Sequence, residues 1–154
     1  MVLDSLDVRE LGHDDLEALL GLYRDLHADD APLPPERSRA LWSAIQADAA
    51  QIYLGRFSGS ELVAACNASI TLNLTRGGRP FAVIENVVTS HAHRRRGHGQ
   101  AVMRALIDRC WARDCYKVML MSAAERGEGH AFYESLGFDS SAKQAFVLKP
   151  PTGR

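Results

Sequence analysis

The stretch that most limits what this chain can fold into is the run Phe81-Ala82-Val83-Ile84-Glu85-Asn86-Val87-Val88-Thr89, followed at once by Ser90-His91-Ala92-His93-Arg94-Arg95-Arg96-Gly97-His98-Gly99-Gln100. The first part is almost wholly apolar or β-branched, the composition of a strand buried on both faces, and only the polar pair Glu85-Asn86 interrupts it. The second part opens a helix from about Gly97 to Arg113, with Val102, Leu106 and Cys110 on one line and Met103 and Ile107 beside it. A buried strand feeding an amphipathic helix calls for helices layered on a sheet.

The rest of the chain agrees. Leu6, Val8 and Leu11 alternate with Asp7, Arg9 and Glu10, a short strand, and Asp14 then reads as a helix N-cap. Leu16, Leu19, Leu20, Tyr23 and Leu26 form the stripe of a first helix, which stops at the acidic, proline-containing stretch His27 to Pro35. Pro35 opens a second helix to about Ala49, with Leu41, Trp42 and Ile45 facing inward. Ile52 to Phe57, the turn Ser58-Gly59-Ser60 and Leu62 to Leu72 read as a hairpin, and Thr75 to Arg79 as the next turn. After the helix at Gly97, Tyr116 to Met121 is a further buried strand. Gly129 to Leu136 is a short helix ending at Gly137, and Ala142 to Lys149 is a closing extended run. The order predicts one α/β (α+β) domain over residues 1–154.

Charge excludes some functions. Eighteen basic residues against nineteen acidic ones leave a net charge of −1, so the chain has no overall attraction for nucleic acid or anionic membranes. No apolar run approaches the roughly 18 residues that span a bilayer, and the N-terminus lacks the pattern of a secretory signal, which together predict a cytoplasmic protein. The three cysteines, Cys66, Cys110 and Cys115, fit no ligand spacing, so neither a disulfide nor a metal is expected. His91 and His93 are spaced like a metal pair but lack a third ligand nearby.

Any anion site is therefore local, and Arg94 to Gln100 has the makings of one. Backbone N–H groups converge where a loop enters a helix, the helix dipole adds positive potential, and glycines admit a phosphate close to the backbone. The stretch is not a P-loop, because no lysine followed by Ser or Thr closes it. Nor is it a dinucleotide fingerprint, because Val102 stands at the third glycine position. Taken alone, Arg94 to Arg96 reads more readily as a solvated basic turn, and it is Gly97, Gly99 and the helix start that favour an anion site.

The pattern Arg94-Arg95-Arg96-Gly97-His98-Gly99, together with Ala131-Phe132-Tyr133-Glu134-Ser135-Leu136-Gly137-Phe138, resembles the GNAT superfamily of N-acetyltransferases. The resemblance spans nearly the whole element order. It implies a mixed, mostly antiparallel central sheet with helices on both faces, and acetyl-CoA as co-substrate without a metal. It also implies a cofactor site at Arg94, Arg95, Arg96, Gly97, His98, Gly99 and Gln100, joined by the main chain of Val87 and Val88 at a splay after Glu85.

Acetyl transfer to an amine sets the remaining requirements. An amine of pKa near ~10 is only about 0.1% neutral at pH 7, so a base is needed. Glu85, in an otherwise apolar strand where desolvation would raise its pKa, is the candidate; the alternative is a structural carboxylate. The departing thiolate benefits from a donor, and Tyr133, protonated at neutral pH, fits; otherwise it is a core tyrosine. Resemblance places the acceptor, a small-molecule or peptide amine, under the loop joining the first two helices. His27, Asp29, Asp30 and Asn86 are its candidate contacts there, although solvated loop acids are the plainer reading of the aspartates. His130 lies near Tyr133 and reads mainly as a surface or packing residue.

Two departures stand out. Arg126 occupies the region where many relatives carry a cofactor-binding asparagine, and is a candidate phosphate contact instead. After Phe138 there is room for one good strand, so the closing hairpin is either abbreviated or completed by a second subunit in a homodimer. A non-catalytic acyl-CoA sensor of the same fold is the alternative function.

Overall fold

The tightest connection in the sheet sets its first pairing. Gly59, at φ +61°, turns the chain between β2 (Gln51–Ser58) and β3 (Glu61–Thr71), a left-handed conformation that costs glycine little. The computed structural model describes residues 8–123 and 127–152. They fall in two units, Met1–Leu120 and Met121–Arg154.

The first unit holds a five-stranded sheet. β1 (Val8–Glu10), β2, β3, β4 (Phe81–Thr89) and β5 (Val118–Leu120) lie in chain order across it. The first four pair antiparallel, while β5 runs parallel to β4. A parallel pair needs a long crossover, and α3 (His98–Ala112) supplies it.

Helices cover both faces. On one, α1 (Leu16–Tyr23) and α2 (Pro35–Ala47) bring Leu16, Leu19, Leu22 and Trp42 into a buried cluster with Phe57, Leu62, Ala65 and Val88. On the other, Cys66 lies 3.6 Å from the Val102 carbonyl of α3. Val102, Met103, Leu106 and Cys110 of that helix are completely buried. α2 is pinned to the β1–α1 connection, where Trp42 Nε1 donates to the Gly12 carbonyl at 3.1 Å and Gln46 Nε2 to the Leu11 carbonyl at 2.8 Å. The expected class, a mixed and mostly antiparallel sheet between helices, is what forms.

Several local expectations are corrected. The acid that organises the start of α1 is Asp15, which accepts the Gly12 N–H at 2.6 Å, while Asp14 makes no such cap. A 3-10 turn at His13–Asp15 precedes the helix and places Asp15 three residues after the N-cap, where its carboxylate reaches back. The first helix ends at Tyr23, with Leu26 half-buried in the turn beyond it. Leu41 is exposed at 43% because α2 packs through Ser38, Trp42 and Ile45. β4 is not buried on both faces: only Ala82, Ile84 and Val88 are, and Glu85 is exposed. β5 is half-buried and shorter than expected, and Cys115 sits in the connection before it.

The second unit contains α4 (Gly127–Ser135). Gly137, at φ +97°, follows it as expected of a C′ glycine, and its N–H bonds to the Glu134 carbonyl at 2.9 Å. The closing strand does not form among the described residues, and Phe146, Val147 and Leu148 are 90%, 73% and 98% exposed. A strand needs a neighbour's N–H and C=O groups, and the described part of this unit has no other strand to offer them.

Candidate functional site

The pairing of β3 with β4 is irregular at one place. Ala65 pairs with Val88 and Asn67 with Glu85, so two residues of β4, Asn86 and Val87, stand opposite Cys66 alone. This is a β-bulge, and Asn86 takes it up in the left-handed region at φ +51°. Asn is among the few side chains that tolerate that region. Its Nδ2 donates to Oδ1 of Asn67 at 3.1 Å.

The bulge decides which way Glu85 points. Residues two apart on a strand share a face, and so do directly paired residues of neighbouring strands. Ala65 lies in the cluster under α1 and α2, so Asn67 is on that face, and so are their partners Val88 and Glu85. Without the extra residue, positions 85 and 88 would face opposite ways. Tyr53 of β2 pairs with Asn67, which gives a polar row, Tyr53, Asn67 and Glu85, across three strands of one face. Burial pushes the phenols of Tyr53 and of Tyr23 on α1 above their ordinary value, so both are protonated at neutral pH. Tyr53 also meets Trp42 edge-on, with ring centroids 5.3 Å apart.

The buried strand assumed for Glu85 is therefore replaced by a bulged strand that presents the carboxylate on an open surface. Val87 is half-buried, and Val88 is packed below α1. Asn86 spends an amide hydrogen on Asn67.

β4 runs into the expected cradle. A 3-10 turn at His91–His93 is followed by Arg94, Arg95 and Arg96, all exposed, and α3 begins after Gly97. Gly97 is the N-cap at φ +81°, with no side chain to occupy the helix entrance and open space where a Cβ would stand. A helix start of this kind presents N–H groups and positive potential to an anion. Arg94 Nε bonds back to the Thr89 carbonyl at 3.3 Å, and Arg95 is itself left-handed at φ +62°. His98, the first helical residue, receives Arg56 Nε of β2 at Nδ1 at 3.5 Å and stacks edgewise on His93 at 6.0 Å. Gly99 is half-buried and Gln100 exposed in the first turn. Three exposed arginines thus lead directly into a glycine-capped helix start.

His91 and His93 make carboxylate contacts instead of a metal site. The His91 N–H donates to Asp25 Oδ2 at 2.9 Å, and His93 Nε2 lies 3.7 Å from Glu61. Among the described residues no group of three or more His, Cys, Asp or Glu side chains is arranged to hold a metal. Asp25 matters more widely: it ties the exit of α1 to the loop that follows β4. His27, Asp29 and Asp30 are exposed just beyond that exit.

Tyr133 belongs to the second unit, half-buried on α4 between Phe132 and Phe138, at centroid distances of 5.2 and 6.2 Å. His130 Nε2 is 3.0 Å from the Ala123 carbonyl. Arg126 lies outside the described residues. Cys66, Cys110 and Cys115 are buried free thiols; burial pushes Cys110 up to about 11 and raises the other two as well, so none is a ready nucleophile.

Asn67, Tyr53 and Asp25 escaped the sequence reading. Asn67 had a signal: it is the lone amide in the otherwise small and apolar run Leu62 to Ala68. Tyr53 and Asp25 had none, since their roles come from cross-strand register and from a contact between residues far apart in sequence.

The arrangement is that of an α/β domain in which a bulged strand carrying a carboxylate leads, through an arginine-rich turn, into a glycine-capped helix start. Comparison with known proteins gives it a family. The description of the acetyltransferase (GNAT) family matches residues 16–138. A glucosamine 6-phosphate N-acetyltransferase of Trypanosoma brucei brucei is 35% identical over 83 residues, covering 54% of each chain, so this chain spans about half the length of that curated relative. Among solved structures, a protein of Agrobacterium tumefaciens str. C58 named as an acetyltransferase is 37% identical with a TM-score of 0.90, covering 94% of this chain and all of that one. A protein of Bacillus halodurans C-125 named as a transcriptional regulator is 27% identical with a TM-score of 0.79, over 92% and 98% of the two chains. The chain belongs to the GNAT acetyltransferase family.

Proposed function

We propose that this chain is an N-acetyltransferase that moves the acetyl group of acetyl-CoA to a primary amine by direct attack of the amine on the thioester. The bulge in β4 carries the reading: it sets Glu85 on the same face as Val88, one turn of chain away from the glycine-capped start of α3. The family match runs from residue 16 to 138, across both units, which supports treating residues 1–154 as one acetyltransferase domain.

Arg94, Arg95 and Arg96 with the main chain from Gly97 to Gln100 would hold the pyrophosphate, and Arg126 would add a further cation. The main-chain N–H groups of Val87 and Val88 would pair with the pantetheine arm and polarise the carbonyl. The bound thioester supplies an activated acetyl carbon. Glu85 takes a proton from the ammonium acceptor, directly or through water, so that the neutral nitrogen can form the C–N bond while the C–S bond breaks. Tyr133 donates a proton to the departing sulfur, and the second proton that the nitrogen sheds in becoming an amide restores the phenol. The buried thiols favour this direct route over an acyl-enzyme.

The acceptor would enter beside the exit of α1, where Asp29 and Asp30 favour a cation and His27 and Asn86 offer polar contacts. The name of the trypanosomal relative makes an amino sugar phosphate the first acceptor to assay, with aminoglycosides and peptide N-termini beside it. Release of free CoA thiol against such a panel tests the activity. Glu85→Gln should lower turnover by about 10²–10⁴ and flatten its rise with pH while leaving acetyl-CoA affinity within twofold. An unchanged pH–rate profile would remove Glu85 as the base. The alternative is a non-catalytic acyl-CoA sensor or interaction module of the same fold, for which binding without turnover is the expected result; the Bacillus neighbour, named as a transcriptional regulator, keeps a non-enzymatic role in view.

A further inference from the structure

We propose that Asn67 is a positioning residue for the transferase site: its buried amide oxygen clamps Asn86 in the left-handed conformation that makes the β4 bulge, and so aims Glu85 and the main chain of Val87 and Val88. The inference rests on the acetyltransferase reading for its kinetic consequences but not for its structural ones.

Four observations converge on Asn67. It is 4% exposed, and its neighbours in β3, Val63, Ala64, Ala65, Cys66 and Ala68, are all apolar or small and at most 1% exposed. A polar side chain persists in such surroundings only when it is hydrogen-bonded, and its Oδ1 accepts Nδ2 of Asn86 at 3.1 Å. The residue it holds is the one that departs from strand geometry, at φ +51°. Asparagine tolerates the left-handed region better than most side chains but still prefers extended backbone within a strand, so the hydrogen bond to Asn67 biases it to the bulged form. Asn67 is paired in register with Glu85 itself, so the anchor and the carboxylate stand side by side on adjacent strands.

The consequence is geometric. If Asn86 relaxed to extended backbone, the bulge would be lost, and the residues on one side of it would exchange faces. Either Glu85 would turn from the α1 face or Val88 would leave the cluster beneath α1. Val88 on one side and Ala82 and Ile84 on the other are all anchored by packing, so the misfit would fall on Glu85, Asn86 and Val87 between them. Asn67 touches neither co-substrate in this account and works entirely through Asn86.

The test is a set of variants in the full chain, Asn67→Ala, Asn86→Ala, Asn86→Gly and Asn67→Ala with Asn86→Gly. It is read by CoA-thiol release and by the backbone amide chemical shifts of Glu85, Val87 and Val88. Glycine adopts the left-handed conformation without help, so Asn86→Gly makes the clamp dispensable. Asn67→Ala should lower kcat at least tenfold in the native background and less than threefold in the Asn86→Gly background. Asn86→Ala should move the three amide shifts more than Asn86→Gly does. Equal losses from Asn67→Ala in both backgrounds would overturn the proposal. So would equal shifts in Asn86→Ala and Asn86→Gly, a comparison that holds even if Asn67→Ala fails to fold. If the native chain turns over no amine, the acetyltransferase reading fails, while the same amide shifts still decide whether Asn67 holds the bulge: Asn67→Ala should move them more in the native background than in the Asn86→Gly background, and equal movement would overturn the proposal.

Discussion

Asp15 joins two parts of the fold through one carboxylate, which makes its removal quantitatively predictable. Its Oδ2 accepts the Gly12 N–H at 2.6 Å and Arg9 Nη1 at 2.7 Å, and its Oδ1 accepts Arg9 Nη2 at 2.9 Å. The Arg9 side chain is half-exposed, so its ion pair is worth about 0.5 kcal/mol. The bond to the partly buried Gly12 N–H at the head of the helix is a capping interaction worth about 1–1.5 kcal/mol. Asp15→Ala should therefore cost about 1.5–2 kcal/mol, and Asp15→Asn, which keeps an acceptor for Gly12 and loses the ion pair, about 0.5 kcal/mol. For a chain of this size that lowers Tm by about 3–8 °C and 1–2 °C respectively. The sign with pH is fixed. The Arg9 hydrogen bonds, aided by Gly12, hold the Asp15 carboxyl below its ordinary value, so the folded state favours the ionised form. That stabilisation is complete above the unfolded value of about 4 and disappears as pH falls through the lower folded value. Thermal unfolding followed by circular dichroism at pH 7 and pH 2.5, at constant ionic strength, should show the gap between native protein and Asp15→Asn larger at the first than at the second. An equal gap at both would mean that the charge contributes nothing and that only the shape of the side chain matters.

Two further outcomes follow from the core. Leu106 is completely buried on α3, and Leu106→Ala should cost about 3 kcal/mol through lost burial and the cavity left behind, lowering Tm by about 6–12 °C; a shift under 2 °C would deny close packing of that helix. Iodoacetamide at pH 8 should label none of Cys66, Cys110 and Cys115 in the native protein and all three in denaturant, as read by intact mass, whereas rapid native labelling would reopen an acyl-enzyme route. The same burial has an alkaline signature. Cys110 keeps its proton up to about 11 in the folded chain, while the unfolded chain releases it from about 9, so its contribution to stability falls as pH rises across that interval.

Much of this architecture is legible in the residues because the hydrophobic pattern is strong where the core is deep. The bounds of β4, the Gly59 turn, the start of α3 at Gly97 and the glycine after α4 all follow from local chemistry that the folded chain obeys. The bulge did not follow, although Glu85-Asn86 marks its place, because a period-two reading has no means of adding an extra residue. That is why Glu85 was expected inside the strand and is found exposed. Leu41 was misjudged for a related reason: a helix that uses Trp42 as its anchor needs only a narrow stripe, and its neighbours are left outside. Ala142 to Lys149 has strand composition but, among the described residues, no ladder, and pairing is a property that one segment alone cannot declare.

The hydrogen bond from His91 to Asp25 spans 66 residues of chain, and the Glu10–Arg109 bridge spans 99. Contacts of such separation carry a large loop-closure entropy, so they are expected to form after the β2–β3 hairpin and α3, which rest on more local contacts. The loop that carries Arg94 to Gly97 is then expected among the last parts of the molecule to be completed. A chain arrested short of the native state would hold most of its secondary structure and still lack that loop, so on the proposed cofactor site CoA binding would be a stricter reporter of complete folding than any helical or sheet signal.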